Sequence, residues 1–89
     1  GDMIEEIDSK VEIYPNPVND ILYIETLTQT QTQTQTQTVE IFDIYGRRQK
    51  SIVNSQRSTV IDLSDLKAGI YFVKINTEKG NIVKRIIKD

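Results

Sequence analysis

The stretch Val39-Glu40-Ile41-Phe42-Asp43-Ile44-Tyr45-Gly46-Arg47-Arg48-Gln49-Lys50-Ser51-Ile52-Val53 decides the fold. Val39 to Asp43 is rich in β-branched and aromatic residues, which suit a pleated, half-buried surface. Tyr45-Gly46-Arg47-Arg48 reads as a turn, with Gly46 at the positive φ that a Cβ would oppose. Gln49 to Val53 then returns as a second strand, so the stretch is a hairpin. No window of useful length repeats at 3.6 residues. The chain is organised by sheets.

Working outward, the flanks repeat the pattern. Val11-Glu12-Ile13-Tyr14 alternates and stops at Pro15-Asn16-Pro17. Two prolines one residue apart fix φ twice and remove two N–H donors, so neither a helix nor a ladder passes through. A stiff crossover is predicted there, followed by a strand from Ile21 to Thr26. Downstream, strands are predicted for Thr59 to Leu63, Ile70 to Asn76 and Ile82 to Lys88, with Glu78-Lys79-Gly80-Asn81 as a hairpin turn. Ser64-Asp65-Leu66-Lys67 is at most one helical turn. The expectation is an all-β, Ig-like antiparallel β-sandwich of about seven strands.

One corner sharpens that expectation. Leu63 and Leu66 precede Gly69, where the chain turns sharply, and Tyr71 opens the next strand. In sandwiches a tyrosine so placed can bond its hydroxyl back to upstream backbone. The bond is predicted to reach backbone between Leu63 and Lys67. The plainer alternative is that Tyr71 is only a strand-forming residue.

From Thr28 to Thr38 the chain is a strict Thr-Gln alternation. Neither face of such a strand has apolar area to bury, and a two-residue slip restores the same pairs. The expectation is a long, protruding low-complexity loop (28–38) whose ends continue the flanking strands. The alternative is pairing with another copy through an exposed edge.

At 89 residues the chain is one domain. Residues 1–10 are acidic, lack a clean period and read as a linker, with 11–89 as the folded part. Gly1 looks like a cloning remnant on a fragment of a longer precursor. No apolar run is long enough to span a bilayer as a helix, and no signal-peptide pattern is present. Cys, His and Trp are absent, so packing alone must hold the fold. The net charge of −2 conceals an asymmetry: residues 1–45 hold nine acids and one base, residues 46–89 ten bases and four acids. Either late basic strands pair with early acidic ones within the same sheets, or a basic C-terminal edge meets an acidic receptor.

Enzyme readings fail on residue types. Five serines have no His to activate them. Asp62 and Asp65 could be imagined as a carboxylate pair, but Asp65 follows Ser64 in a turn, where such residues cap backbone N–H groups. Asp20 and Asp43 read as turn-formers rather than calcium ligands. No metal site and no cofactor are expected. A negative net charge with only four Tyr and two Phe argues against nucleic acid.

Four blocks, taken in order, resemble a known family. Tyr14-Pro15-Asn16-Pro17 with Asn19 and Ile21 is similar to the opening of the type IX (Por) secretion system C-terminal sorting domain, type A. Val39 to Arg47 resembles its middle motif, an alternating strand followed by Asp43-x-x-Gly46-Arg47. Asp62-Leu63-Ser64, Leu66 and Gly69-Ile70-Tyr71-Phe72-Val73-Lys74 resemble the third block. Gly80 and Lys84-Arg85-Ile86-Ile87-Lys88 resemble the basic end. The Thr-Gln run and the terminal Asp89 depart from the pattern.

The resemblance implies a disposable address. A cargo domain on its N-terminal side reaches the periplasm by a separate signal. The outer-membrane secretion machinery recognises the folded domain and carries the cargo to the cell surface or beyond, in a Gram-negative bacterium. A sortase-like peptidase then removes it near the linker. A monomer is expected. Tyr14, Pro15, Asn16, Pro17, Asp43, Gly46, Arg47, Gly69 and Tyr71 would serve the fold, recognition or both, and Lys84 and Lys88 the recognition. Lys88 is expected to end the last strand in solvent. The alternative is an Ig-like adhesion or carbohydrate-binding module of a secreted protein, disfavoured by the lack of Trp.

Overall fold

Alternation in the sequence becomes sidedness in the structure. The computed structural model describes residues 11–26, 37–54, 58–77 and 80–89. The predicted linker 1–10 and the repeat up to residue 36 lie outside the described residues. Seven strands follow one another: β1 (Val11–Tyr14), β2 (Ile21–Thr26), β3 (Gln37–Phe42), β4 (Arg48–Asn54), β5 (Ser58–Asp62), β6 (Gly69–Thr77) and β7 (Gly80–Lys88). They form two antiparallel sheets, ordered β1-β2-β5 and β4-β3-β6-β7. The predicted Ig-like sandwich is the observed class, and strand bounds differ from the sequence reading by no more than a few residues.

Each strand turns its apolar alternates inward. Val11, Leu22, Ile24 and Ile61 from the smaller sheet meet Val39, Ile41, Tyr71, Val73, Ile75 and Ile86 from the larger one in a single buried cluster. Val18 and Leu63, outside the strands, complete it. Burying each such aliphatic side chain contributes about 1.5–3 kcal/mol. Every buried side-chain nitrogen or oxygen among the described residues has a hydrogen-bond partner.

The outer faces carry the charge, and they divide it. Glu12 and Glu25 stand opposite each other on β1 and β2, beside a stacked Tyr14–Tyr23 pair with centroids 5.5 Å apart. Across the larger sheet, Arg48, Phe42, Phe72 and Arg85 lie side by side on β4, β3, β6 and β7. The predicted pairing of acids with bases inside one sheet holds for Glu40, which meets Arg48 at 3.1 Å, but not for Glu12 and Glu25. Glu12 and Glu25 thus sit on the smaller sheet, away from the bases of β6 and β7.

The prolines do more than stop a strand. Residues 15–20 leave the smaller sheet between β1 and β2 and cross to the outer edge of β7, with both X-Pro bonds cis. The Asn16 side chain donates to the Arg85 carbonyl (3.2 Å) and accepts from the Ile87 N–H (2.9 Å). The Val18 N–H donates to the Ile87 carbonyl, and the Asp89 N–H to the Val18 carbonyl, both at 2.8 Å. The crossover thus acts as a short extra strand, parallel to the tail at Val18 and Lys88, on an edge that would otherwise be bare.

That tie corrects one expectation. Lys88 is only 6% exposed, not a solvated strand end. It shares the inward parity of Ile82 and Ile86, and its Nζ donates to the Asp89 carbonyl at 2.9 Å. Its stem packs while its head is satisfied locally. Lys84 has the same parity but is exposed in mid-strand.

Replacing Asn16 with Ala should remove two bonds and cost about 1 kcal/mol in chemical denaturation. Hydrogen exchange at the Ile87 amide should accelerate. The Ile86 amide, which alternation directs toward β6, should keep its protection.

Candidate functional site

Asp43 closes β3 and organises the turn that follows. Its N–H donates to the Arg47 carbonyl and its carbonyl accepts from the Gly46 N–H, both at 3.0 Å. Its Oδ1 accepts from the Tyr45 and Arg47 N–H groups at 2.9 Å each. Its Oδ2 accepts from Arg47 Nε at 2.8 Å and from Gln49 Nε2 at 3.2 Å. Gly46 takes φ +81°, as the turn requires. Between Ile41 and Phe42 the register slips, placing Arg48 rather than Gln49 opposite Phe42. This bulge frees Gln49 to swing back onto Asp43.

Desolvation pushes the Asp43 carboxyl up, but the hydrogen bonds from Arg47 and Tyr45, with the Arg47 charge, outweigh it. The net direction is below the ordinary 3.8. The turn is clamped through one ionised carboxylate.

The corner between β5 and β6 is built by the same means. Asp62 accepts from the Ser64 N–H at 2.8 Å, and the Leu66 N–H donates to the Leu63 carbonyl at 2.9 Å. Asp62, standing before the turn, thus caps the Ser64 N–H. Asp65 instead pairs with Lys50, 2.9 Å away on β4, which holds its carboxyl below the ordinary value. The tyrosine corner is present as predicted. Tyr71 is 7% exposed, and its hydroxyl donates to the Lys67 carbonyl at 2.7 Å.

These pieces share one end of the sandwich. The turn at Asp43, the corner at Lys67 and the base of Tyr71 border a cleft of about 300 Å³, completed by Arg47, Gln49, Asp65 and Leu66. Gly69 pairs with Lys88, which adjoins the crossover at Val18, and the Leu63 N–H donates to the Asp20 carbonyl at 2.7 Å. Tyr14, Pro15, Asn16, Pro17, Asp43, Gly46, Arg47, Gly69, Tyr71 and Lys88 therefore gather around one rim. Lys84, in mid-β7, stands apart.

The sequence reading missed Gln49, Lys50 and Val18. Gln49 depends on a bulge and Lys50 on a contact with the turn after β5, neither of which leaves a local signal. Val18, an apolar residue just past a double proline, could have been flagged as an anchor. Among the described residues no cluster of three Asp, Glu, His or Cys side chains could hold a metal ion.

Fold and site together define a small β-sandwich module whose turns and crossover are braced at one end. Residues 12–89 match the model of a family described as the secretion system C-terminal sorting domain. The chain belongs to that family, the sorting signal of type IX secretion. Such a signal implies contact with the secretion machinery, an attached cargo, and delivery to the surface or exterior of Gram-negative Bacteroidetes.

Two solved structures share the fold. One is PorZ, a surface component of the type IX secretion system of Porphyromonas gingivalis, with TM-score 0.76 and 19% identity. The other is dimeric latent PorU from the same organism, with TM-score 0.69 and 21% identity. The likeness covers 100% and 88% of this chain but only 13% and 9% of theirs. No curated protein matches the chain.

Two measurements check the bracing. Tyr71→Phe should cost roughly 1 kcal/mol in urea denaturation, as a lost buried hydrogen bond does. Asp43 has a lowered folded pKa, so its contribution is present above the ordinary carboxylate pKa and is lost as pH falls through the folded value. Stability should therefore drop as pH falls below the ordinary 3.8 and through the lower folded value. Asp43→Asn should be less stable at neutral pH and lose less on acidification.

Proposed function

We propose that the braced end of the sandwich is the surface the secretion machinery reads, and that the domain does no chemistry of its own. Convergence is the observation that carries this. Segments far apart in the chain place Tyr14, Pro15, Asn16, Pro17, Asp43, Gly46, Arg47, Gly69 and Tyr71 at one end. Most of them fix backbone shape, which gives a receptor the same rigid relief whatever the cargo. β1 begins at the opposite end, so a cargo joined ahead of Val11 lies away from the reader.

The route is that of a removable address. The cargo enters the periplasm by its own signal, the folded domain engages the outer-membrane machinery, and a sortase-like peptidase cuts within the acidic segment 1–10. The domain acts as a monomer. Lys84, exposed and outside the core, is the tail cation that offers charge to a receptor. Lys88 contributes by holding the tail in shape.

Fusing residues 1–89 to a periplasmic reporter should bring the reporter to the surface of a host with this secretion system. Deleting residues 84–89 removes the partner of the crossover and should leave the reporter in the periplasm. Lys84→Ala should reduce export while shifting the melting temperature by no more than a few degrees. An intact fusion that stays periplasmic in a competent host would overturn the reading.

A further inference from the structure

The tip of the β3–β4 hairpin carries two apolar side chains that the fold does not use. Ile44 is 57% exposed and Tyr45 76%. Single exposed apolar residues are ordinary, and Val53, Val60 and Val83 are of that kind, each on an outer sheet face. Ile44 and Tyr45 differ by being adjacent at an apex.

Their backbone is also unusually well held. The Asp43 carboxylate and main chain accept or donate six hydrogen bonds within residues 43–49. Closing a turn needs far fewer. The Arg47 guanidinium lies 5.2 Å from the Tyr45 ring centroid, so the aromatic ring is steadied as well. Arg47 Nε is committed to Asp43, while its Nη groups bond nothing among the described residues, on a side chain 71% exposed.

A rigid Tyr beside an Arg and an aliphatic residue is the composition of a binding hot spot. Holding it ready in the free state lowers the ordering cost on association. We propose that Ile44, Tyr45 and Arg47 form a preformed docking knob that enters an apolar pocket, rimmed by carboxylate, on a protein of the export machinery. This rests on the sorting reading above. The partner is a protein rather than a lipid surface, because two apolar side chains and one guanidinium already paired through Nε, next to the Asp43 and Asp65 carboxylates, make a poor membrane anchor. Arg47 supplies the forked donor that a rim carboxylate accepts.

The test uses the reporter fusion in a competent host, with a photo-crosslinking benzoylphenylalanine at position 45 and, separately, at positions 53 and 60. Position 45 should give one discrete protein adduct, and positions 53 and 60 none. The Arg47→Gln form, which removes the charge, should lower adduct yield several-fold. Ile44→Ser with Tyr45→Ser should cut export at least tenfold, with a melting temperature near that of the parent. If the parent fusion is exported, yet the double variant is exported equally well or position 45 yields no adduct, the knob is refuted while the sorting reading stands. A lipid adduct at position 45 refutes the protein pocket. A parent fusion that is never exported removes the sorting reading itself and the knob with it.

Discussion

Four hydrogen bonds tie the crossover at Asn16 and Val18 to the tail from Arg85 to Asp89, and the rest of the structure depends on them. They join the two sheets at one end, cover the edge of β7, and seat Val18 in the core. The Asn16 side chain imitates a strand residue, offering one donor and one acceptor to the backbone. The prolines make this possible, because a segment that cannot continue the β1 ladder is free to leave it. Contacts spanning about seventy residues are costly in loop entropy and form only when the last strand is in place. The proposed recognition surface, built on that tie, exists only in the completed fold.

Strand positions were legible because apolar alternation is a local property. Val39 and Ile41, or Tyr71, Val73 and Ile75, declare their buried face without reference to any partner. Tyr71 was legible too, since its bond reaches only four residues back. Lys88 was misread because charge was allowed to outvote parity. Its spacing from Ile86 already assigned it inward, and a long aliphatic stem makes that tolerable when the head finds a carbonyl. Asn16 was singled out for its place between prolines, but its partners lie on the far side of the sequence. The Lys50 partner of Asp65 was illegible for a similar reason, since it stands fifteen residues away on β4.

The charge asymmetry of the chain also acquires a location. Strand order sends β1 and β2, with Glu12 and Glu25, to one sheet, and β6 and β7, with Lys74 and Arg85, to the other. Within the larger sheet Glu40 sits between Arg48 and Asn76, whose hydrogen bonds, Asn76 foremost, hold its carboxyl below the ordinary value. Like charges at Glu12 and Glu25 cost a little stability. They also deny the outer face of the smaller sheet to anything acidic. A nearly neutral molecule thereby presents two faces of opposite character, which bears on how it meets partners rather than on how it folds.

Residues that build a fold and residues that are recognised are usually separable, and the proposed reading brings them together at one end of the sandwich. Asp43, Gly46 and Asn16 make no sense as ligands for a receptor if taken as isolated side chains, since their polar atoms are already satisfied within the domain. Taken as shape they do, because a turn held by an ionised carboxylate and a tail held by a crossover have few alternative conformations. A reader that must accept many unrelated cargoes gains nothing from contacts to the cargo. It needs a relief that is identical each time and stiff enough that little binding energy is lost in ordering it. Sequence motifs dominated by Pro, Gly, Asp and Asn are what such a relief leaves behind, because those residues govern backbone geometry. On the proposed reading the groups that touch the reader are the ones the backbone displays, at the hairpin tip Ile44 and Tyr45, which the motif leaves unspecified, beside Arg47, which it fixes.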